Sequence, residues 1–183
     1  MENVDKNTDN NAVNSKNKKH SPMNNVQVFL LNLLIVIISL WLLFGFVLSF
    51  TVAPNDDMSP NIRNHDLLLS FRLEKELHAQ DVVVIKKNNI TYVGRVVAVS
   101  GDEVDISDEN HLIINGSSMI ETNIYSETPR YEGFVEYPVK IGSGEYFILA
   151  DSRNGGEDSR YYGTVKDSEI VGKVVTVIRR TGI

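Results

Sequence analysis

PNDDMSPNI, residues 54–62, follows directly on a long uncharged run and opens an acidic, β-branched region. It sets two carboxylates, Asp56 and Asp57, beside a methionine and a serine held between prolines. Paired carboxylates can serve acid–base chemistry or hold a metal. Neighbours on an extended chain point to opposite faces, however, so this pair is not expected to converge. The other usual ligands give no support. The chain has no cysteine, and His20, His65, His78 and His111 fall at no ligand spacing. No metal and no cofactor is implied.

Outward toward the N-terminus lies the uncharged run, VFLLNLLIVIISLWLLFGFVLSFTV (28–52). As a helix it would be roughly 37 Å long against a hydrocarbon core of roughly 30 Å, enough to span with some tilt. A secretory signal peptide is the competing interpretation. The run is too long for one, and Pro54 follows the only tolerable cleavage site, Thr51-Val52-Ala53. Residues 26–52 are therefore expected to be an uncleaved transmembrane signal anchor in contact with lipid. Residues 1–25 are Asn-rich and poor in large apolar side chains, the composition of a disordered tail. The basic cluster KNKKH (16–20) places that tail in the cytoplasm and residues 53–183 outside the cell.

Outward in the other direction the chain reads as strands. DVVVIKK (81–87), ITYVGRVVAV (90–99), EVDIS (103–107), HLIIN (111–115), GEYFILAD (144–151) and EIVGKVVTVIRR (169–180) are β-branched runs. Asn88-Asn89, Ser100-Gly101-Asp102, Asp108-Glu109-Asn110 and Asn115-Gly116 divide them with turn chemistry. No three-turn helical periodicity interrupts the pattern. Residues 117–143 are polar and read as a long excursion with little regular structure. Together these features predict one mostly-β domain, a small barrel or coiled sheet, on a single N-terminal helix. That domain carries 14 of the chain's 18 basic and 21 of its 24 acidic residues. Its negative balance excludes nucleic acid as a partner, which would require a basic face.

Three blocks now stand in order: PNDDMSPNI (54–62), YVGRVVAVSGD (92–102) and ADSRNGGEDSRYYG (150–163). Together, behind one N-terminal anchor, they resemble the type I signal peptidase family, membrane-anchored serine proteases of mostly-β fold with a Ser-Lys dyad. The likeness runs over about residues 26–183. In that family the first block reads Ser-Met-x-Pro. The second carries Lys-Arg before an apolar run and Gly-Asp. The third carries Gly-Asp-Asn and then Ser-x-Asp-Ser-Arg-x-x-Gly.

The resemblance puts Asp57 at the serine, Gly94 at the lysine and Gly156 at a serine that orients the lysine in many members. The chemistry needs what these positions lack. A hydroxyl attacks an amide only when a base takes its proton, and the family's base is a lysine kept neutral by desolvation. Glycine offers no amine. A carboxylate at position 57 would stand where negative charge must develop on the tetrahedral intermediate. Ser59, with Lys86 or Lys87, is the remaining candidate dyad. It would require the loop to shift while Met58 and Pro60 kept their places. The oxyanion donor implied two residues before the nucleophile is Asn55. Asp57 is thus expected either to accept hydrogen bonds from Asn55 and nearby amides, like a bound product carboxylate, or to point to solvent.

What the resemblance leaves intact is scaffold and groove. Ala53, Pro54, Met58, Ile62, Tyr92 and Val93 fall at the family's substrate-facing positions, where an extended peptide adds as a strand. Asp158 and Arg160 resemble its structural ion pair. Degenerate members, the SipA type of Gram-positive bacteria, accompany pilus gene clusters. The implied role is accessory or chaperone-like, with a pilin precursor and possibly a sortase as partners. Two other classes stay open: an active signal peptidase with an atypical dyad, and a structural protein acting through residues 117–143.

Overall fold

The computed structural model describes residues 24–179 except Lys75, Asn123 and Tyr125. The expected cytoplasmic tail lies almost wholly outside them. The chain divides into two compact units between Ile38 and Ser39. The described part of the first is helical, the opening turns of helix α1 (Asn25–Leu42), which buries none of its residues. A π-helical turn, Leu43–Val47, extends α1. The combined segment, Asn25–Val47, is long and apolar enough to cross a membrane.

The helix stops short of the expected 26–52. Leu48–Val52 is a strand, β1, paired antiparallel with β2 (Leu67–Phe71). An uncharged run suits lipid and a sheet interior alike, so composition alone could not place this boundary. Strand β1 shows the mixed burial of a half-covered strand, with Ser49 buried and Phe50 exposed. Strand β2 went unread because LLLSF has no alternation to mark it. Its pairing with β1 and with β11 (Ile170–Ile178) supplies the constraint.

The remaining strands are β3 (Val82–Lys87), β4 (Ile90–Ala98), β5 (Glu103–Ile106), β6 (Leu112–Ile114), β7 (Ser117–Ser118), β8 (Val139–Lys140), β9 (Glu145–Leu149) and β10 (Val165–Lys166). Strands β3, β4, β5, β6, β9 and β11 fall close to the sequence reading, whereas the two-residue strands β7, β8 and β10 carry no run long enough to mark them. The domain is mostly β, as expected. Its strands form two open sheets. The larger runs β1-β2-β11-β3-β4-β9-β10 and the smaller β7-β6-β5-β8. The β3–β4 hairpin turns through Asn88 and Asn89, both at positive φ, the geometry that a two-residue turn between twisted strands requires. The polar excursion contributes only β7 and β8 to the sheets.

Central strands of the larger sheet are covered on both faces, which explains their unbroken apolar runs. Val83 and Ile85 pack with Tyr92, Val96, Tyr146 and Ile148. Val84 belongs to a different cluster, with Ala53, Met58, Ile62, Leu68 and Val93. A third cluster, built on Phe147, Leu149, Val104 and Leu112, includes strands of both sheets. Helix α2 (Ser159–Tyr162) is a single turn beside β9.

Leu68 is fully buried, whereas its neighbour Leu69 is only partly covered. Leu68→Ala should cost about 2–5 kcal/mol in chemical denaturation of the full chain, and Leu69→Ala distinctly less. Equal losses would mean that β2 does not face the core through Leu68.

Candidate functional site

The three sequence blocks meet at one carboxylate. Arg95 on β4 donates to Asp151 from Nε at 2.8 Å and from Nη2 at 2.7 Å. Asn61 donates from Nδ2 to Asp151 Oδ2 at 3.0 Å. The Asp151 amide approaches the Met58 sulfur at 3.4 Å, and the Ser152 amide donates to the Asp57 carbonyl at 2.8 Å. The loop at 54–62 is thereby held against both the middle of β4 and the end of β9.

In this frame the Asp57 carboxylate does not simply face solvent. Its Oδ2 accepts Asn55 Nδ2 at 2.7 Å, and Asn55 Oδ1 accepts the Asp57 amide at 3.2 Å. The nearby Glu157 backbone amide also favours the charged form of the same carboxylate. Burial pushes the Asp57 carboxyl above its ordinary value. The Glu157 amide and Asn55 oppose that shift, and the Glu157 and Asp158 charges add to it. Asp56 turns away and accepts the Asn64 amide at 2.9 Å, so the adjacent carboxylates do not converge.

Gly94 and Gly156 lie in closed surroundings. A Cβ on Gly94 would stand 2.6 Å from Ile148 Cγ2 and 3.3 Å from the Leu149 carbonyl oxygen. A Cβ on Gly156 would stand 2.6 Å from Ala150 Cβ and 2.8 Å from the Ser152 carbonyl oxygen. Of the candidate lysines, Lys87 gives its ammonium to Glu169 at 3.0 Å and to the Thr164 carbonyl at 3.0 Å. Ser59 Oγ faces Asp56 Oδ1 at 3.5 Å.

Most of the groove residues are interior. Ala53, Met58, Ile62 and Val93 sit together in one core cluster, and Tyr92 is buried in another. Pro54 alone of the six is exposed. Tyr92 also packs on Tyr162, with ring centroids 4.9 Å apart. Strand β4 pairs with β3 along Ile90 to Arg95, but with β9 only from Arg95 onward. Among the described residues no strand covers the second edge of Ile90 to Gly94.

Asp158 and Arg160 form a fully buried pair, Nη2 to Oδ2 at 2.7 Å and Nε to Oδ1 at 2.9 Å. Asp158 also caps α2 by accepting the Arg160 amide, and it accepts the Ala150 amide at 3.0 Å.

A model of the family described as signal peptidase, peptidase S26, matches residues 25–179. The chain belongs to this family. It is 29% identical over 178 residues to a probable signal peptidase I-2 of Synechocystis, covering 91% of this chain and 79% of the relative. It is 23% identical over 161 residues to an inactive signal peptidase IA of Staphylococcus aureus, covering 83% and 91% respectively. A signal peptidase I structure from Enterococcus faecalis aligns at 26% identity and a TM-score of 0.46, over 56% of this chain and 98% of that one. The relatives thus include proteins named as signal peptidases and others named as inactive ones.

Several residues that shape the site in this family member escaped the sequence reading. Arg153 is fully buried and reaches back to the polar excursion, donating to Glu121 at 2.6 Å and Thr128 at 2.7 Å. The Arg160 guanidinium stacks on the Tyr131 ring at 4.3 Å and donates to the Pro129 carbonyl. The Tyr131 hydroxyl meets the Gly156 carbonyl at 3.1 Å. No spacing signal links such distant positions. Two arginines, Arg153 and Arg160, within eleven residues of the end of β9 were the available hint.

The raised Asp57 carboxyl has a stability consequence. The folded chain holds this proton more tightly than the unfolded chain. Asp57 therefore favours folding below its ordinary value of 3.8, and that contribution is lost as pH rises through the raised value. The thermal midpoint of Asp57→Asn should gain on wild type between about pH 4 and about pH 7. A difference independent of pH would show that the carboxyl is not shifted.

Proposed function

We propose that this chain is a non-catalytic signal peptidase homologue that captures an extended peptide beside the membrane. One observation carries the proposal: a carboxylate, held by Asn55, stands at the position the resemblance assigns to the nucleophile. Asp57 has no hydroxyl to attack with, and its charge opposes development of an oxyanion. Position 94 offers no amine to act as base. Where both members of a catalytic unit are absent, little of the rate enhancement survives.

Binding needs neither group. The second edge of β4, from Ile90 to Gly94, pairs with no strand among the described residues, and a further strand would add there. Affinity would come from main-chain hydrogen bonds. The deeply buried apolar residues would act as support beneath the peptide, with little direct contact. Ile90, at the start of this edge, and Pro54, beside Ala53 in the loop, are both exposed.

The partner we favour is a pilin precursor, with a sortase working beside it, because the degenerate members this chain resembles accompany pilus genes. The role is an accessory one, holding the precursor extended during surface pilus assembly. It requires the helix Asn25–Val47 to anchor the chain with its N-terminus in the cytoplasm and its β domain outside. The competing proposal, an active peptidase built on Ser59 and Lys87, is disfavoured by the commitment of Lys87 to Glu169 and of Ser59 to Asp56.

Two experiments test these readings. The full-length protein in detergent should leave a secretory precursor uncut over hours under conditions in which an active signal peptidase cleaves it. Cleavage by wild type would overturn the non-catalytic reading. Separately, Pro54→Lys and Ile90→Lys, both exposed, should sharply reduce pilus polymerisation at normal protein levels. Polymerisation at wild-type levels in both variants would refute capture at the β4 edge.

A further inference from the structure

Gly94 is flanked on β4 by Val93 and Arg95 and lies on the strand's buried stretch. Its partner across the sheet on one side is Val83, in regular antiparallel register. On the other side the β4–β9 register skips a residue just beyond it, between Val96 and Ala98. The side chain bearing on position 94 comes from β9: Ile148, fully buried, whose Cγ2 would lie 2.6 Å from a Cβ there. Cγ2 is the branch methyl. It is attached directly to Cβ and swings away only by a change of χ1, which β-branching restricts. Within the core such a change would displace packed neighbours, Val96 and Tyr146 among them. The Ser159 hydroxyl also holds the Ile148 amide at 2.9 Å, fixing the backbone from which that methyl projects.

We propose that Ile148 closes position 94 to any side chain, so that the base position is shut by a second residue as well as by loss of the lysine. This rests on the reading that position 94 is where the base would stand. In this arrangement Ile148 is a positioning residue, and the silent state is a packed state. Replacing Gly94 alone would drive a Cβ into the branch methyl and toward the Leu149 carbonyl.

The test is a double-substitution cycle read as thermal midpoint in the full-length protein. It makes no use of peptidase activity, so it stands apart from the outcome of the cleavage experiment. Gly94→Ala should lower the midpoint. Ile148→Ala should lower it as well, through the cavity it leaves. The two together should lose less than the sum, because removing the branch methyl makes room for the new Cβ. Ile148→Val keeps that methyl and should give no such relief. Should Gly94→Ala fail to fold, recovery of folding with Ile148→Ala but not with Ile148→Val supports the same conclusion. Additive losses, an unchanged midpoint in Gly94→Ala, or equal relief from valine would overturn it.

Discussion

The structure depends on the carboxylate of Asp151. It is 5% exposed and is held by both Arg95 and Asn61. A charge so deeply withdrawn from water is tolerated only when its partners are in good geometry, and removing one member of a buried pair typically costs about 3–5 kcal/mol. The forked contact of Arg95 supplies that geometry. Its wider effect is to make three distant segments arrive together. Met58 and Asp57 are fixed to the strand end through the Asp151 and Ser152 amides, and Arg95 fixes β4 to the same point. Asp57 then has no freedom to swing out, and its carboxylate settles on the donors that the loop supplies.

Much of this was legible in sequence, and unevenly so. The six β-branched runs appear as strands within a few residues of where their periodicity put them, because strands buried on both faces must be continuously apolar. Asn88-Asn89 and Asn115-Gly116 turn where their tolerance of positive φ allows. What could not be read was the C-terminal end of the apolar run. Leu48 to Val52 meets the same hydropathy requirement in a sheet as in a bilayer, and only pairing with β2 separates the two.

The site divides in the same way. The resemblance alone puts positions 57, 94 and 156 at the catalytic unit, and the expectation against hydrolysis rests on that placement and on the groups these residues lack. Their surroundings are invisible in sequence. Nothing about Ile148 marks it as a neighbour of the distant Gly94, or Ala150 as the side chain that closes on Gly156. The apolar residues assigned to a groove illustrate the reverse difficulty. Ala53, Met58, Ile62 and Val93 have the composition of a binding surface and the burial of a core. Hydrophobicity reports that a side chain avoids water, and leaves open whether protein or ligand does the covering.

The excursion between β7 and β8 carries a last implication. Its composition suggests a segment that opens freely, yet two buried guanidiniums tie it down. Arg153 holds Glu121 and Thr128, and Arg160 holds Pro129 and Tyr131. Lifting these residues would strip partners from both arginines at once and loosen the Gly155 to Glu157 turn that supports Asp57. Amide hydrogens here should therefore exchange with solvent in step with those around Asp57, as one cooperative unit, and not at the rate of an exposed loop. A surface that looks like ornament in the sequence would share a single opening equilibrium with the centre of the molecule.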